Sequence, residues 1–415
     1  MIDLLIKDAK YLDEKFNVQR GDIAIHKGYY VEYGGEEAKC TVTSDRLWMP
    51  GLSDNHIHIS QQFLQGKLLF EKPIVWKRIN VPFEASLDEE MVKLSTLAAA
   101  ANMIKNGVTS FVDSGCPKAI SMAEVLTEVK VRGSIGYQTT DMTPFETLRT
   151  NVKEAVERND ELAESLKGNE LINPIFGVTN LVASTRELQE AVLLEGKKRG
   201  FITSCHMNEY ESEILTVIEK EGVRPFEYLD SMGALHDKFV GAHGLFLSEN
   251  EKNLIKSYNS KIVHCPYSNS AKGIPETDSL LSRNISVFLG TDGAGHGGLD
   301  LFAEVRLFSA MVQLLAKAKG DYALVNSEDI LRMAVGTVDE KLGKIKVGYK
   351  ADLISLDVDD LRYLSGDICK NTIVEVTNGS MVKDSIINGE FVMKDRELLT
   401  IDEERLKNTV RSSCH

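Results

Sequence analysis

Short apolar runs alternate with helical stretches through the middle of this chain. Strands that alternate with helices along a sequence indicate parallel βα units. A closed (β/α)8 barrel needs eight such strands and places its chemistry at their carboxyl ends. The sequence offers eight runs of this kind, at residues 48–58, 109–113, 134–139, 174–179, 202–206, 239–243, 261–264 and 287–289. The pattern therefore predicts an α/β protein built on a TIM-type barrel.

Both ends of the chain are β-rich. Residues from Ile2 to about Met49 alternate in short segments with turn signals between them, which predicts a small antiparallel sheet. Residues 350–357 and 384–393 are again strand-like, with little helical period between them. We therefore expect a β-rich region on each side of the barrel.

One predicted helix is marked at both ends. Ser86 and Glu89 match the S-x-x-E capping box, an alanine-rich segment follows, and Gly107 lies at the end. The sequence thus predicts a helix that begins after Ser86 and leads into the second barrel strand.

Composition excludes several classes of protein. Charged residues make up 27% and hydrophobic residues 43%, which is ordinary for a globular protein and argues against disorder. The net charge of −14 would repel nucleic acids and anionic membrane surfaces. No run approaches the roughly 18 apolar residues of a membrane span, and residues 1–16 lack the apolar run of a signal peptide. We therefore expect a cytoplasmic protein.

Candidate metal ligands lie at the ends of the predicted strands. His56 and His58 are two residues apart, so a strand would direct both side chains to the same face. His206 ends another strand, and Asp292 follows the last one. Singly, the histidines could be half-buried structural residues and Asp292 a turn residue. Together, three imidazoles and one carboxylate could form a mixed N/O site with room for water, as catalytic zinc sites do.

The motifs around these residues resemble the amidohydrolase superfamily in order and spacing. The chain is similar to the branch that contains S-adenosylhomocysteine/methylthioadenosine deaminases, guanine deaminases and triazine hydrolases. The segments concerned are PGLSDNHIH at residues 50–58, HMNE at 206–209, AH at 242–243, HCPYSN at 264–269 and GTDG at 290–293. Residues 343–357 resemble the return strand of that family. The resemblance implies a composite β-sandwich of residues 1–50 and 345–415, and a metal-dependent catalytic barrel of residues 51–344.

The resemblance also implies a role for each site residue. It makes His56, His58, His206 and Asp292 the ligands of one divalent metal ion, with zinc expected and iron as the alternative. Two-metal relatives carry a lysine on the fourth strand, and residues 174–180 contain none. Glu209 would be the proton shuttle, and Asp292 would also take the proton of the attacking water. His243 would polarise the intermediate, although the apolar strand before it also fits a core histidine.

Other similarities concern the substrate. The segment that contains Trp76 and Glu84 resembles one in adenosine-type deaminases, whose glutamate binds the ribose hydroxyl groups; Glu84 could equally be a solvated residue ahead of the helix. The fourth-strand histidine of those enzymes is missing, which leaves the nucleoside open. Gln61 stands where guanine deaminases have a glutamine that contacts the purine. His264 and His296 are further candidates for the pocket wall, and each also fits a structural role.

Glu209 favours deamination, because triazine chlorohydrolases of this branch can work without that glutamate. We therefore expect a hydrolase that releases ammonia from an amino-substituted heteroaromatic ring, such as a purine, a purine nucleoside like methylthioadenosine or S-adenosylhomocysteine, or a pterin. The alternatives are a chlorohydrolase, an N-alkylamine hydrolase or a cyclic amidohydrolase on the same barrel, and, more remotely, a non-catalytic metal-binding scaffold. The expected partners are a small heterocycle and water, and a homo-oligomer is compatible with the resemblance.

Overall fold

The computed structural model describes residues 1–320 and 325–413. Within these residues the strands are, in chain order, β1 (Ile2–Leu12), β2 (Val18–His26), β3 (Tyr29–Val31), β4 (Ala38–Thr43), β5 (Leu47–Pro50), β6 (Leu52–Ile57), β7 (Val108–Asp113), β8 (Arg132–Ile135), β9 (Ile172–Asn180), β10 (Ile202–Met207), β11 (Phe239–His243), β12 (Lys261–His264), β13 (Val287–Leu289), β14 (Leu353–Leu356), β15 (Val382–Ile387), β16 (Glu390–Lys394) and β17 (Glu397–Leu398).

The α-helices of the described residues are α1 (Val81–Ala85), α2 (Glu89–Lys105), α3 (Ala119–Val129), α4 (Val152–Ser165), α5 (Arg186–Lys198), α6 (Glu211–Glu221), α7 (Pro225–Ser231), α8 (Glu249–Ser257), α9 (Pro266–Ser270), α10 (Thr277–Leu281), α11 (Leu301–Ala318), α12 (Ser327–Val335), α13 (Leu361–Leu364), α14 (Lys370–Val376) and α15 (Glu403–Ser413). Short 3₁₀ segments are Ile59–Leu64 and Gly379–Met381, and Trp76–Asn80 is a π-helical turn. None of these helices combines the length and the apolar character needed to cross a membrane.

The predicted barrel is confirmed. Strands β6 to β13 form one parallel sheet whose order follows the chain. The amide of Asp292, just after β13, donates to the carbonyl of His56 in β6 at 2.9 Å and brings the two edges together. The carboxyl ends of β6, β10, β11 and β13 therefore meet at one end of the barrel.

The first predicted barrel strand divides into two. β5 belongs to the terminal sheet and β6 to the barrel, and Gly51 lies between them. A Cβ atom on Gly51 would lie 2.0 Å from the side-chain oxygen of Thr109 in β7, so the chain can pass this close only with glycine.

The predicted capping box at Ser86 is wrong. The helix begins after Asp88, whose carboxylate accepts the amide of Met91 at 2.8 Å. Ser86 instead donates its hydroxyl to the carbonyl of Phe83, 2.7 Å away, at the end of α1. Asp88 is the stronger cap because its negative charge also interacts favourably with the helix dipole.

The terminal strands form one nine-stranded sheet. The expectation of an antiparallel N-terminal sheet is wrong in part, because β1 pairs antiparallel with β2 but parallel with β4 and β5. β4 and β5 run in the same direction and pair with successive halves of the long β1. The edge strand β3 contacts the segment ahead of β14 where Tyr29 bridges Lys350, and the sheet encloses a core that includes Ile6, Trp48 and Ile386.

Helices also occur where little helical period was expected. α13 and α14 lie between β14 and β15, and α14 buries Ile373 and Val374 against the barrel helices α11 and α12. These helices are too short to give a clear period in the sequence. Arg132 of β8 joins the barrel to the terminal sheet, with two buried bonds to Asp352 of 2.6 and 3.0 Å. The domain boundaries at residues 50 and 345 stay a prediction.

Candidate metal centre and active site

The four predicted metal ligands converge at one end of the barrel. His56 and His58 come from the end of β6, His206 from β10, and Asp292 from the turn after β13. One donor atom from each lies within 4.8 Å of the others. The Nε2 atoms of His58 and His206 are 3.2 Å apart, and Asp292 Oδ1 lies 3.1 Å from His56 Nε2 and 3.5 Å from His58 Nε2.

The chemistry of these donors fits a divalent ion. The Nδ1–H of His206 donates to the carbonyl of Thr179 at 2.6 Å, which leaves Nε2 free to coordinate. Burial lowers the pKa of His206 and lowers the pKa of His58 well below its ordinary value, so both imidazoles are neutral. Two neutral nitrogens that face each other at this distance suit a shared cation. Three imidazoles and one carboxylate are ligands that zinc accepts in catalytic sites.

Two residues position the ligands. Asp54 in β6 accepts the amide of Thr291 at 3.0 Å and its hydroxyl at 2.6 Å, and so fixes the turn that carries Asp292. Burial raises the pKa of Asp54 to about 6. Gly290 passes so close to His56 that a Cβ atom there would lie 2.8 Å from the His56 backbone. Sequence reasoning gave neither Asp54 nor Gly290 a role, although both lie within the motifs.

Glu209 lies beside the metal centre and is paired with a buried lysine. The ammonium of Lys272 donates to Glu209 Oε1 at 2.6 Å and to the hydroxyl of Ser268 at 2.6 Å. Ser268 in turn donates to Asp292 Oδ2 at 2.6 Å. Burial alone would raise the pKa of Glu209, but the charge of Lys272 outweighs it and lowers this pKa to about 2. Glu209 is therefore a carboxylate in the resting site.

Lys272 and Ser268 were missed by the sequence reasoning. Ser268 lies inside the HCPYSN motif, which offered a signal for it. Lys272 lies outside the motif, and lysine is rarely buried, so its position in the site was not foreseeable from the sequence.

His243 faces the same centre. Its Nδ1–H donates to Asn269 Oδ1 at 2.9 Å, while Nε2 is 3.7 Å from Glu209 Oε1 and has no hydrogen-bond partner among the described residues. Burial lowers the pKa of His243 to about 3, so the ring is neutral and Nε2 is an acceptor. The alternative of a core histidine accounts for its burial but not for Nε2, which faces Glu209.

The two remaining candidate histidines, His296 and His264, occupy different positions relative to the pocket. His296 lines the pocket, with Nε2 3.6 Å from Asp292 Oδ2. His264 is fully buried and is not among the residues that line the pocket. Its Nδ1–H donates to the carbonyl of His243 at 2.9 Å, so it supports the backbone that carries His243.

Polar residues line the pocket beside the metal ligands, where Glu84 Oε1 lies 3.9 Å from His58 Nδ1. Gln61, Trp76 and Glu84 line it as predicted, together with Gln138. Glu84 Oε1 accepts Gln61 Nε2 at 2.8 Å, and Oε2 accepts Gln138 Nε2 at 2.5 Å. The alternative of a solvated Glu84 is wrong, because this residue lies in α1 and is 2% exposed. Burial raises the pKa of Glu84 to about 7.

Comparison with known proteins agrees with this geometry. A model described as "Amidohydrolase family" matches residues 47–392. The chain belongs to the amidohydrolase family. A 5-methylthioadenosine/S-adenosylhomocysteine deaminase of Pyrococcus furiosus is 30% identical to this amidohydrolase, over 97% of this chain and 98% of the relative. A 5'-deoxyadenosine deaminase of Methanobrevibacter smithii is 30% identical, over 99% and 97% of the two chains.

The fold of this amidohydrolase also matches a solved structure. An adenosine deaminase from Xanthomonas campestris, solved with bound zinc, superposes with a TM-score of 0.92 at 24% identity, over 99% of this chain and 97% of the other. The amidohydrolase is a metal-dependent hydrolase of carbon–nitrogen bonds, and its three histidines and one aspartate fit a single divalent ion.

Proposed function

We propose that this amidohydrolase removes the exocyclic amino group of a purine nucleoside by hydrolysis and releases ammonia. The observation that carries the proposal is the position of Glu209, a buried carboxylate between the metal centre and the pocket. Amine departure needs a group that delivers protons, and Glu209 can do so. Relatives at 30% identity are named as deaminases of adenosine derivatives, which supports a nucleoside.

His56, His58, His206 and Asp292 would hold the metal. When bound, a divalent ion acts as a Lewis acid and makes hydroxide available from water near neutral pH. The remaining steps belong to the side chains around it.

Glu209 would move the proton. Its Oε1 is fixed by Lys272, so Oε2 is the atom that would accept the first proton of the attacking water and pass it to the ring nitrogen. Asp292 would take the second proton of that water, which Glu209 would then deliver to the leaving amine as ammonia departs. His243 Nε2, as an acceptor, would orient that water on its path to the amine-bearing carbon.

Glu84 would bind the sugar. Its two oxygens already accept amide protons from Gln61 and Gln138, and each oxygen has a second lone pair for a ribose hydroxyl. A cytoplasmic location and a homo-oligomeric state stay predictions.

The test is ammonia release by the metal-loaded enzyme. The panel contains adenosine, 5′-deoxyadenosine, 5′-methylthioadenosine, S-adenosylhomocysteine, guanine, 8-oxoguanine, cytosine, an aminopterin and an aminotriazine. We expect adenosine derivatives to react, and Glu209→Gln to lower kcat by about 10²- to 10⁴-fold, the usual contribution of general acid–base catalysis.

The matched control is Glu211→Gln, the same change at an exposed residue nearby, with wild-type activity expected. Release of chloride or alkylamine from triazines, without ammonia from any nucleoside, would overturn the proposal in favour of the other hydrolases on this barrel. So would full activity of the Glu209→Gln enzyme.

A further inference from the structure

A second chamber adjoins the pocket, and none of the four metal ligands lines it. Trp76, Val81, Gln138 and Thr179 line both spaces. Most of the other side chains in the chamber wall are apolar, namely Met142, Pro144, Phe145, Leu148, Val182 and Ala183.

We propose that this chamber selects a nucleoside with an uncharged, apolar 5′ substituent, such as a 5′-deoxy or 5′-alkylthio group, over one with a charged amino-acid tail. The inference rests on the proposed function, because it takes the sugar to lie against Glu84. The proposed chemistry does not require this selectivity, because the amino group that reacts and the 5′ substituent lie at opposite ends of the nucleoside.

The order of the lining residues supports this placement. His206, Glu209 and Asp292 line the inner pocket but not the chamber. Gln138 belongs to both spaces and bonds to Glu84. With the amino group at the metal centre and the sugar hydroxyls at Glu84, the 5′ carbon of the sugar would lie on the side of Gln138, next to the chamber.

Two hydroxyl groups of the chamber wall are already bonded, whereas Gln138 Oε1, on a residue that lines both spaces, has no hydrogen-bond partner among the described residues. The Thr140 hydroxyl donates to the carbonyl of Ala183 at 2.5 Å, and the Thr143 hydroxyl accepts the amide of Phe145 at 3.3 Å. Beyond Gln138, a 5′-hydroxyl group in this chamber would therefore lose bonds to water and find few in return. An uncharged alkylthio group would instead be buried against apolar side chains.

Charged groups near the chamber are few, and the buried wall offers none. Lys77 is the one charged residue of the lining; it is exposed, and its ammonium lies 5.1 Å from the centre of the Trp76 ring. Arg149 donates to the carbonyl of Thr143 at 2.9 Å and to Glu146 at 3.2 Å. The carboxylate of Asp141 is bonded to Thr185. A zwitterionic tail would lose water here without gaining buried partners for both of its charges.

The test compares kcat/KM for four nucleosides by ammonia release. One extra methylene group in an apolar pocket changes kcat/KM by about 10- to 200-fold. We therefore expect 5′-methylthioadenosine to exceed adenosine by a factor in that range, 5′-deoxyadenosine to lie between them, and S-adenosylhomocysteine to fall at least about tenfold below 5′-methylthioadenosine.

Two variants probe the chamber itself. Met142→Lys adds a cation at a side chain that is 48% exposed, and should raise the activity on S-adenosylhomocysteine relative to 5′-methylthioadenosine. Val182→Thr keeps the shape of the side chain, adds a hydroxyl, and should narrow the preference for 5′-methylthioadenosine over adenosine. The control is Leu314→Lys, on α11 and 63% exposed, which should leave the ratios unchanged.

The possible results separate this inference from the proposed function. Equal or higher kcat/KM for S-adenosylhomocysteine overturns the chamber inference while deamination of nucleosides stands. A preference that Met142→Lys and Val182→Thr both leave unchanged overturns it as well. Silence with every nucleoside, and turnover of guanine or a triazine, overturns the proposed function itself.

Discussion

Replacing Lys272 by methionine would remove the cation that pairs with Glu209. The two side chains are 6% and 8% exposed and their charged atoms are 2.6 Å apart. Methionine keeps much of the length of the side chain and removes the charge. The nearest remaining partner of Glu209 Oε1 is the neutral His243, at 3.7 Å.

The size of the effect follows from burial. An exposed ion pair contributes about 0–1 kcal/mol, whereas removal of one partner from a buried pair costs about 3–5 kcal/mol. Part of this cost is avoided if Glu209 takes up a proton, because loss of the Lys272 charge raises the pKa of Glu209. A protonated Glu209 cannot accept the proton that it has to move. We therefore expect the free energy of unfolding to fall by up to about 3–5 kcal/mol. We expect kcat to fall by at least about tenfold and by no more than about 10⁴-fold, the upper end of the contribution of general acid–base catalysis.

The assay that distinguishes positioning from simple destabilisation is the pH profile of kcat. Glu209 is needed as a carboxylate, so activity is lost as the pH falls through its pKa, and this acidic limb should move to higher pH in Lys272→Met. Lys272→Arg retains the charge and should keep the limb near its wild-type position. A Lys272→Met enzyme with wild-type kcat and an unshifted limb would refute the reasoning.

Three further predictions concern the metal and the fold. Treatment with a chelator should abolish activity, and one equivalent of zinc per chain should restore it, as measured by metal analysis alongside ammonia release; activity that survives complete metal removal would contradict the assignment. Asp54→Ala removes both bonds to Thr291 and should weaken zinc binding by about 10- to 100-fold in a competition titration, since partners of ligand-bearing segments usually contribute that much. Arg132→Met leaves Asp352 buried without its partner and should lower the free energy of unfolding by about 3–5 kcal/mol in a denaturant titration; Arg132→Met/Asp352→Leu should regain most of it, and equal stability of the single variant and wild type would count against the buried pair.

Local pattern determined most of the fold. The barrel strands were predictable because each is a short apolar run between helices, and the barrel topology follows from eight such units in a row. The same reasoning failed where local signals competed. Ser86 and Asp88 both suit a helix start, and the strand pattern around Gly51 hid a change of sheet, which depends on the distance to Thr109.

The candidate metal cluster could also be predicted from the sequence. His56, His58, His206 and Asp292 each stand at a strand end, and parallel strands bring their carboxyl ends to one place. The positions of these four residues at strand ends therefore predicted that their side chains lie close together. Gln61, Trp76 and Glu84 were proposed through the resemblance of their segments to those of guanine deaminases and adenosine-type deaminases, and all three line the pocket.

Only the tertiary structure decided how these residues are held. Lys272 lies 63 positions from Glu209 and Arg132 lies 220 from Asp352, and no local period connects such partners. The burial of Glu84 depends on Gln138, 54 residues away, and the position of His264 depends on the carbonyl of His243. The sequence by itself determined which side chains meet at the candidate site, because their strand-end positions are local. The packing of distant segments determined their charge states and the apolar chamber beside them, because desolvation depends on every atom that surrounds a group.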